Sequence, residues 1–130
     1  MHIELKDGAR WLERVEVAAG FGERLKGLLG RDGLPVKTGM LIVPCSSIHT
    51  FFMRFPIDVF FLGAEDGEPL SHAGRLLPRT GSKMRVVSAR YNLPPWRMAW
   101  PFSMSVSAVL ETAAGNTHIR RGDVLEFVND

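Results

Sequence analysis

The apolar positions of this chain fall in short runs separated by Gly, Pro, Asp and Asn, a pattern of β-strands joined by tight turns rather than of long amphipathic helices. Residues 3–5 and 10–17 read as two extended segments around Asp7-Gly8, a pair favoured where a tight hairpin turn needs positive φ. Residues 39–43, Gly-Met-Leu-Ile-Val, read as a buried strand ended by Pro44. The aromatic and β-branched runs at 50–53 and 57–62 predict two core strands, the second closed by a turn over 63–67. Further strands are predicted at 70–73, 85–89, 104–111 and 124–128. One segment has helical spacing: over residues 23–31, Leu25, Leu28 and Leu29 form a single apolar stripe that ends near Gly30.

Together these elements predict a mainly β fold, α+β at the margin: a compact curved sheet or small barrel with one or two short helices. The 130 residues carry no internal repeat and no Ser/Gly-rich linker, so residues 1–130 are read as a single domain.

Composition narrows the class more than the function. With 45% hydrophobic and 23% charged residues the chain reads as an ordinary globular domain, and its one cysteine, Cys45, excludes an internal disulfide. No run is long and apolar enough to span a bilayer, and the first residues lack the apolar core of a signal peptide. A cytoplasmic location follows from the chain as written, with a periplasmic or exported one if a leader has been removed. The net charge of +2 hides an asymmetry: no Asp or Glu lies between Pro69 and Leu110, where Arg75, Arg79, Lys83, Arg85, Arg90 and Arg97 sit.

Five blocks, quoted by position, are residues 23–31 (Glu-Arg-Leu-Lys-Gly-Leu-Leu-Gly-Arg), 39–41, 49–62 (His-Thr-Phe-Phe-Met-Arg-Phe-Pro-Ile-Asp-Val-Phe-Phe-Leu), 110–115 and 122–123. In this order and spacing, they resemble the bacterial and archaeal proteins catalogued as domain of unknown function 192 (DUF192). His49-Thr50-Phe51 stands where Phe-Trp-Met is more frequent. The resemblance implies a fold and no established activity, and because many relatives bear signal peptides it keeps an exported setting open.

The candidate chemistry is set by polar residues inside the most apolar block. Asp58, between Ile57 and Val59, must face water, accept strong hydrogen bonds or pair with a base, for which Arg54, Arg24 and Arg31 are the candidates. His49 is a candidate general base, and Thr50 or Cys45 a candidate nucleophile, although no nucleophile elbow accompanies them. The histidines at 2, 49, 72 and 118 lack metal-ligand spacing, so neither metal nor cofactor is expected. Glu111 reads as ending a strand where it meets a basic side chain, and Gly122-Asp123 as a turn. The segment 91–102 holds Trp96 and Trp100 among three prolines, a rigid aromatic wall on which a sugar, base or peptide can stack while Arg97 holds an anion. Neither phosphate-loop nor nucleic-acid motifs are present.

These features favour a non-catalytic module that binds a small polar or anionic ligand, a carbohydrate or acidic metabolite, through Arg24, His49, Thr50, Arg54, Asp58, Trp96 and Arg97. Two alternatives stand beside it. One is an accessory protein that binds a protein or polyanion through the stretch 75–102. The other is a small hydrolase using His49 with Cys45, Thr50 or Asp58.

Overall fold

The computed structural model describes residues 1–18, 31–43, 47–51, 53–65, 81–101, 103 and 105–130. The predicted helix at 23–31 and the predicted strand at 70–73 lie wholly or almost wholly outside these residues. Ten strands are described: β1 (His2–Leu5), β2 (Arg10–Leu12), β3 (Arg14–Ala18), β4 (Thr38–Ile42), β5 (Ile48–His49), β6 (Ile57–Ala64), β7 (Ser82–Leu93), β8 (Met98–Ala99), β9 (Ala108–Ala113) and β10 (Val124–Val128). No helix occurs among the described residues.

Eight of the strands form one sheet in the order β2-β1-β10-β7-β6-β9-β4-β3, antiparallel except for the parallel pair β3–β4. The two end strands, β2 and β3, are separated in sequence only by Glu13. The sheet therefore curls until its ends meet, and the Val15 amide donates to the Met1 carbonyl at 2.8 Å. The ends do not pair as a continuous ladder, so this is a strongly curved sheet and not a closed barrel.

Every one of the eight strands contributes to the inner core, among them Ile3, Trp11, Leu12, Val15, Leu41, Phe60, Leu62, Val86, Leu110 and Phe127. A second core lies on the outer face of β4, β9 and β6, where Met40, Ile42, Ile57, Val59, Phe61 and Val109 are covered by Ile48, Met53, Leu93, Ala99 and Val106. Being buried on both faces explains why β6 reads as an apolar run interrupted only by Asp58 while β10, buried on one face, alternates. Leu110 and Phe60 face each other across the ladder on the inner side, so the register is fixed by the core on both faces.

Several elements depart from the sequence expectation, and the strand predicted at 104–111 is described as β9 only from Ala108 to Ala113. The segment 10–17 is not one strand: it breaks at Glu13 and its halves join opposite ends of the sheet. In the predicted strand at 50–53, the described residues Thr50, Phe51 and Met53 are not in a strand, and the Met53 amide donates to the Thr50 carbonyl at 3.1 Å. The strand predicted at 85–89 runs on as β7 through Tyr91 and Asn92, because it spans both β10 and the full length of β6. The Asp7-Gly8 turn is present, with Gly8 at φ 87°.

Gly63 on β6 is a close approach rather than a turn, since a Cβ there would lie 2.5 Å from the Ser105 carbonyl oxygen. The neighbouring Ser107 amide is already tied to the Leu62 carbonyl at 2.9 Å, so that backbone has little room to retreat. The Gly63→Ala variant is expected to lose about 2 kcal/mol of stability, as overpacked sites do. An unchanged denaturant midpoint would show that the 103–107 segment yields freely.

Candidate functional site

Above the outer core, β5 and β8 form a two-stranded ribbon with Ile48 opposite Ala99 and His49 opposite Met98. Ile48 and Ala99 point inward and are buried; His49 and Met98 point outward and are exposed. Alternation within this ribbon therefore aims one side at the core and the other at solvent.

Thr50 follows directly and is fully buried. Its amide donates to the Arg97 carbonyl at 2.7 Å, its carbonyl accepts from the Trp96 amide at 2.9 Å, and its hydroxyl donates to the Pro94 carbonyl at 2.7 Å while accepting from the Arg97 amide at 2.8 Å. One threonine thus holds the whole 94–97 turn. Trp96 sits in this turn at φ 67°, in the left-handed region that a bulky side chain rarely adopts, at a cost of about 1–2 kcal/mol. The hydrogen bonds from Thr50 offset that strain and fix where the indole points.

The indole stacks on Phe51 at a centroid distance of 5.9 Å and 28° between planes, and Phe51 in turn lies 5.0 Å from the His49 ring at 30°. Trp96 remains 54% exposed, and Met98 and Trp100 are similarly open. Arg97 is exposed beside the stack, its guanidinium donating to the Trp96 carbonyl at 3.3 Å.

The other predicted site residues are placed elsewhere. Asp58 is fully buried on the inner side of β6, beside Phe60 rather than beneath the ribbon. Its Oδ1 accepts from the Asn92 amide at 2.7 Å, and its Oδ2 from the amides of Gly115 and Asn116 at 3.1 and 2.7 Å. Arg54 does not reach Asp58; it is exposed and pairs with Asp32 at 2.8 Å. Arg31 pairs instead with Glu16 at 3.0 Å. Arg24 and Cys45 lie outside the described residues. His49, Thr50, Trp96 and Arg97 are therefore brought together, whereas Asp58 and Arg54 are not among them.

Asp58 instead closes one end of the inner core. The loop it binds is secured further by Asn116, which accepts from the Trp11 indole at 2.9 Å and donates to the Thr112 hydroxyl at 3.0 Å, and by Tyr91, whose hydroxyl donates to the Ile119 carbonyl. Trp11 and Tyr91 both meet Phe60 edge-on beneath this loop.

Two titratable groups were not marked correctly by sequence. Glu111 lies within β9 rather than at its end, and no described group donates a hydrogen bond or forms an ion pair to it; burial pushes its carboxyl up from 4.5 to about 7. His2 sits between Glu4 and Asp130, one carboxylate at each ring nitrogen, and these bonds raise its pKa, that to Glu4 most. The His2-Glu4 spacing of two residues on one strand was a usable signal, while Asp130 was not. An open cleft of about 640 Å³, lined among others by Glu65, Lys83, Arg85, His118, Asp123 and Glu126, contains none of the predicted site residues. There the bases of the acid-free stretch lie among acids from elsewhere in the chain.

Among the described residues no group of three or more His, Cys, Asp or Glu side chains is arranged to hold a metal ion, and no helix is long and apolar enough to cross a membrane.

The model of the family DUF192, described as an uncharacterised ACR, matches residues 3–68, half of the chain. The chain belongs to the DUF192 family. No curated protein matches it. Among solved structures, a protein of unknown function from Novosphingobium aromaticivorans is similar with a TM-score of 0.70 and 22% identity over 97% of this chain and 82% of its own. A protein of Sinorhizobium meliloti, provisionally described as a transcription regulator, is similar with a TM-score of 0.68 and 21% identity over 96% of this chain and 89% of its own. These likenesses show that the DUF192 fold described above recurs in both.

Proposed function

We propose that this DUF192 protein is a non-catalytic binding module, one domain over residues 1–130, whose site is the His49–Phe51–Trp96 stack. Its ligand is a small polar or anionic molecule with a flat apolar face, an acidic carbohydrate being the closest chemical match. The observation that carries this reading is Trp96: a tryptophan in a left-handed backbone conformation, held there by five hydrogen bonds between Thr50 and residues 94–97 and left half exposed on a stack of rings. Strain of this kind persists where the surroundings over-determine it, and it clusters at ligand sites.

Each residue then has a role. Phe51 and Trp96 offer faces for a sugar ring, His49 extends the stack and adds ring nitrogens that hydrogen-bond hydroxyls, and Arg97 supplies the charge for a carboxylate. Thr50 positions the platform without touching the ligand. Its buried hydroxyl is already committed, which argues against a nucleophilic role.

Tryptophan fluorescence titrated with uronic-acid oligosaccharides and their neutral counterparts tests this. Binding is expected with the acidic series preferred, weakened about 10- to 100-fold in Trp96→Ala, as loss of one stacking partner does, and with the acidic preference lost in Arg97→Ala. Binding insensitive to Trp96→Ala would overturn the assignment. Response only to polyanions, vanishing with added salt, would instead favour an accessory protein acting through the basic aromatic stretch.

A further inference from the structure

Among the described residues, Glu111 occupies a position where no group supports a charge. It projects from the outer face of β9, the face of Val109, with Met40 of β4 and Val59 of β6 as its partners in register. Both flanking side chains are apolar, and Glu111 is 4% exposed. Continuing the same row outward, the next residues are Glu16 opposite Met40 and Arg90 opposite Val59, each two strands and hence about 10 Å away. Of the other charged groups on this side, Arg14 lies on the edge strand β3, Arg31 is engaged by Glu16, and Arg54 and Asp32 engage each other. His49 is on the outward side of the ribbon.

We propose that Glu111 is a proton-operated latch: with its carboxyl neutral, the layer carrying β5, β8 and the 94–97 turn packs on the outer face of β4, β9 and β6, and ionisation releases that layer. The inference goes beyond ligand binding and holds whether or not the aromatic stack is a binding site.

The reason the layer moves, and not the sheet, is the unequal support of the two. Strand β9 is held by ladders to both β4 and β6 and by the inner core, so it cannot deliver Glu111 to water. Among the described residues the layer above is joined by a two-residue pairing, the bonds of Thr50, further contacts of Ser47, Trp96 and Trp100, and apolar packing, without the long ladders that hold β9, and openings occur where fewer such bonds must break. Lifting it lets water reach the carboxylate. Burial moves the Glu111 carboxyl from 4.5 to about 7, placing the release at the upper end of that interval.

Amide hydrogen exchange by NMR, corrected for intrinsic rates, tests the latch. Protection of the Thr50, Trp96 and Arg97 amides is expected to lie below that of Phe60 and Leu110, and to fall by roughly 70-fold between pH 5 and pH 8 if opening restores an ordinary carboxyl. In Glu111→Gln, and equally in Glu111→Met should the first variant fold poorly, protection of those three amides is expected to stay constant over the same range. Layer amides that track Phe60 and Leu110 at every pH would overturn the proposal, because Glu111 would then act only on global unfolding. A pH-dependent fall that persists in both variants would overturn it as well.

Discussion

Replacing Asp58 with Ala is expected to lower the unfolding free energy by about 4 kcal/mol, the largest effect of any single polar substitution in the described residues, because three backbone amides lose a charged acceptor inside the core. The three donors belong to two separate segments. The Asn92 amide is in β7 at a residue with φ 53°, and the Gly115 and Asn116 amides open the loop that seals the inner core. Without the carboxylate, Asn116 also loses the anchor that aligns it with the Trp11 indole and the Thr112 hydroxyl. Asp58→Asn keeps the shape but has one acceptor oxygen in place of two and adds a buried donor, so its loss is expected to be about half as large. Urea unfolding at pH 7 measures both; a loss under 1 kcal/mol for the alanine variant would mean that water or a rearranged loop satisfies the amides equally well.

The second large effect is the pH dependence of global stability. The folded protein binds the Glu111 proton more tightly than the unfolded chain does, so the associated stability is fully present below pH 4.5 and is lost as pH rises through about 7. The interval between those values corresponds to about 3 kcal/mol. Glu111→Gln is expected to match the wild type at pH 4 and to exceed it by roughly that amount at pH 8. The difference between the two curves is the quantity to read, since the His2 cluster with Glu4 and Asp130 contributes its own pH dependence to both. Curves that remain parallel from pH 4 to 8 would show that the buried carboxyl finds a donor.

What sequence could reveal follows from how local each feature is. The apolar run at 57–62 marked β6 because a strand buried on both faces needs no alternation, and 124–128 marked β10 directly. The break at Glu13 was invisible because both halves of 10–17 are good strand sequences and only the curling of the sheet separates them. The departure at Thr50 and Phe51 has a related cause: both suit a strand by composition, and it is the hydrogen bonds between Thr50 and residues 94–97 that take them out of one. At the candidate site, the rigid Pro94-Pro95-Trp96 stretch and the His49-Thr50 pair were both legible, and their meeting was not. For Asp58 the sequence leaves open exposure to water, strong hydrogen bonds or a basic partner, with Arg54 nearest; it is the hydrogen bonds that hold, from amides 34, 57 and 58 residues away.

The slot of β10 between β1 and β7 bears on the order of assembly. A chain emerging from the ribosome has β1 and β7 long before the strand that joins them, and β1 pairs with residues more than a hundred positions later. The sheet cannot close early, and such non-local pairing belongs with the slow folders, in the range of milliseconds to seconds. Until residues 124–128 arrive, β1 and β7 each present an unpaired edge, and nascent chains of this family are then most exposed to one another.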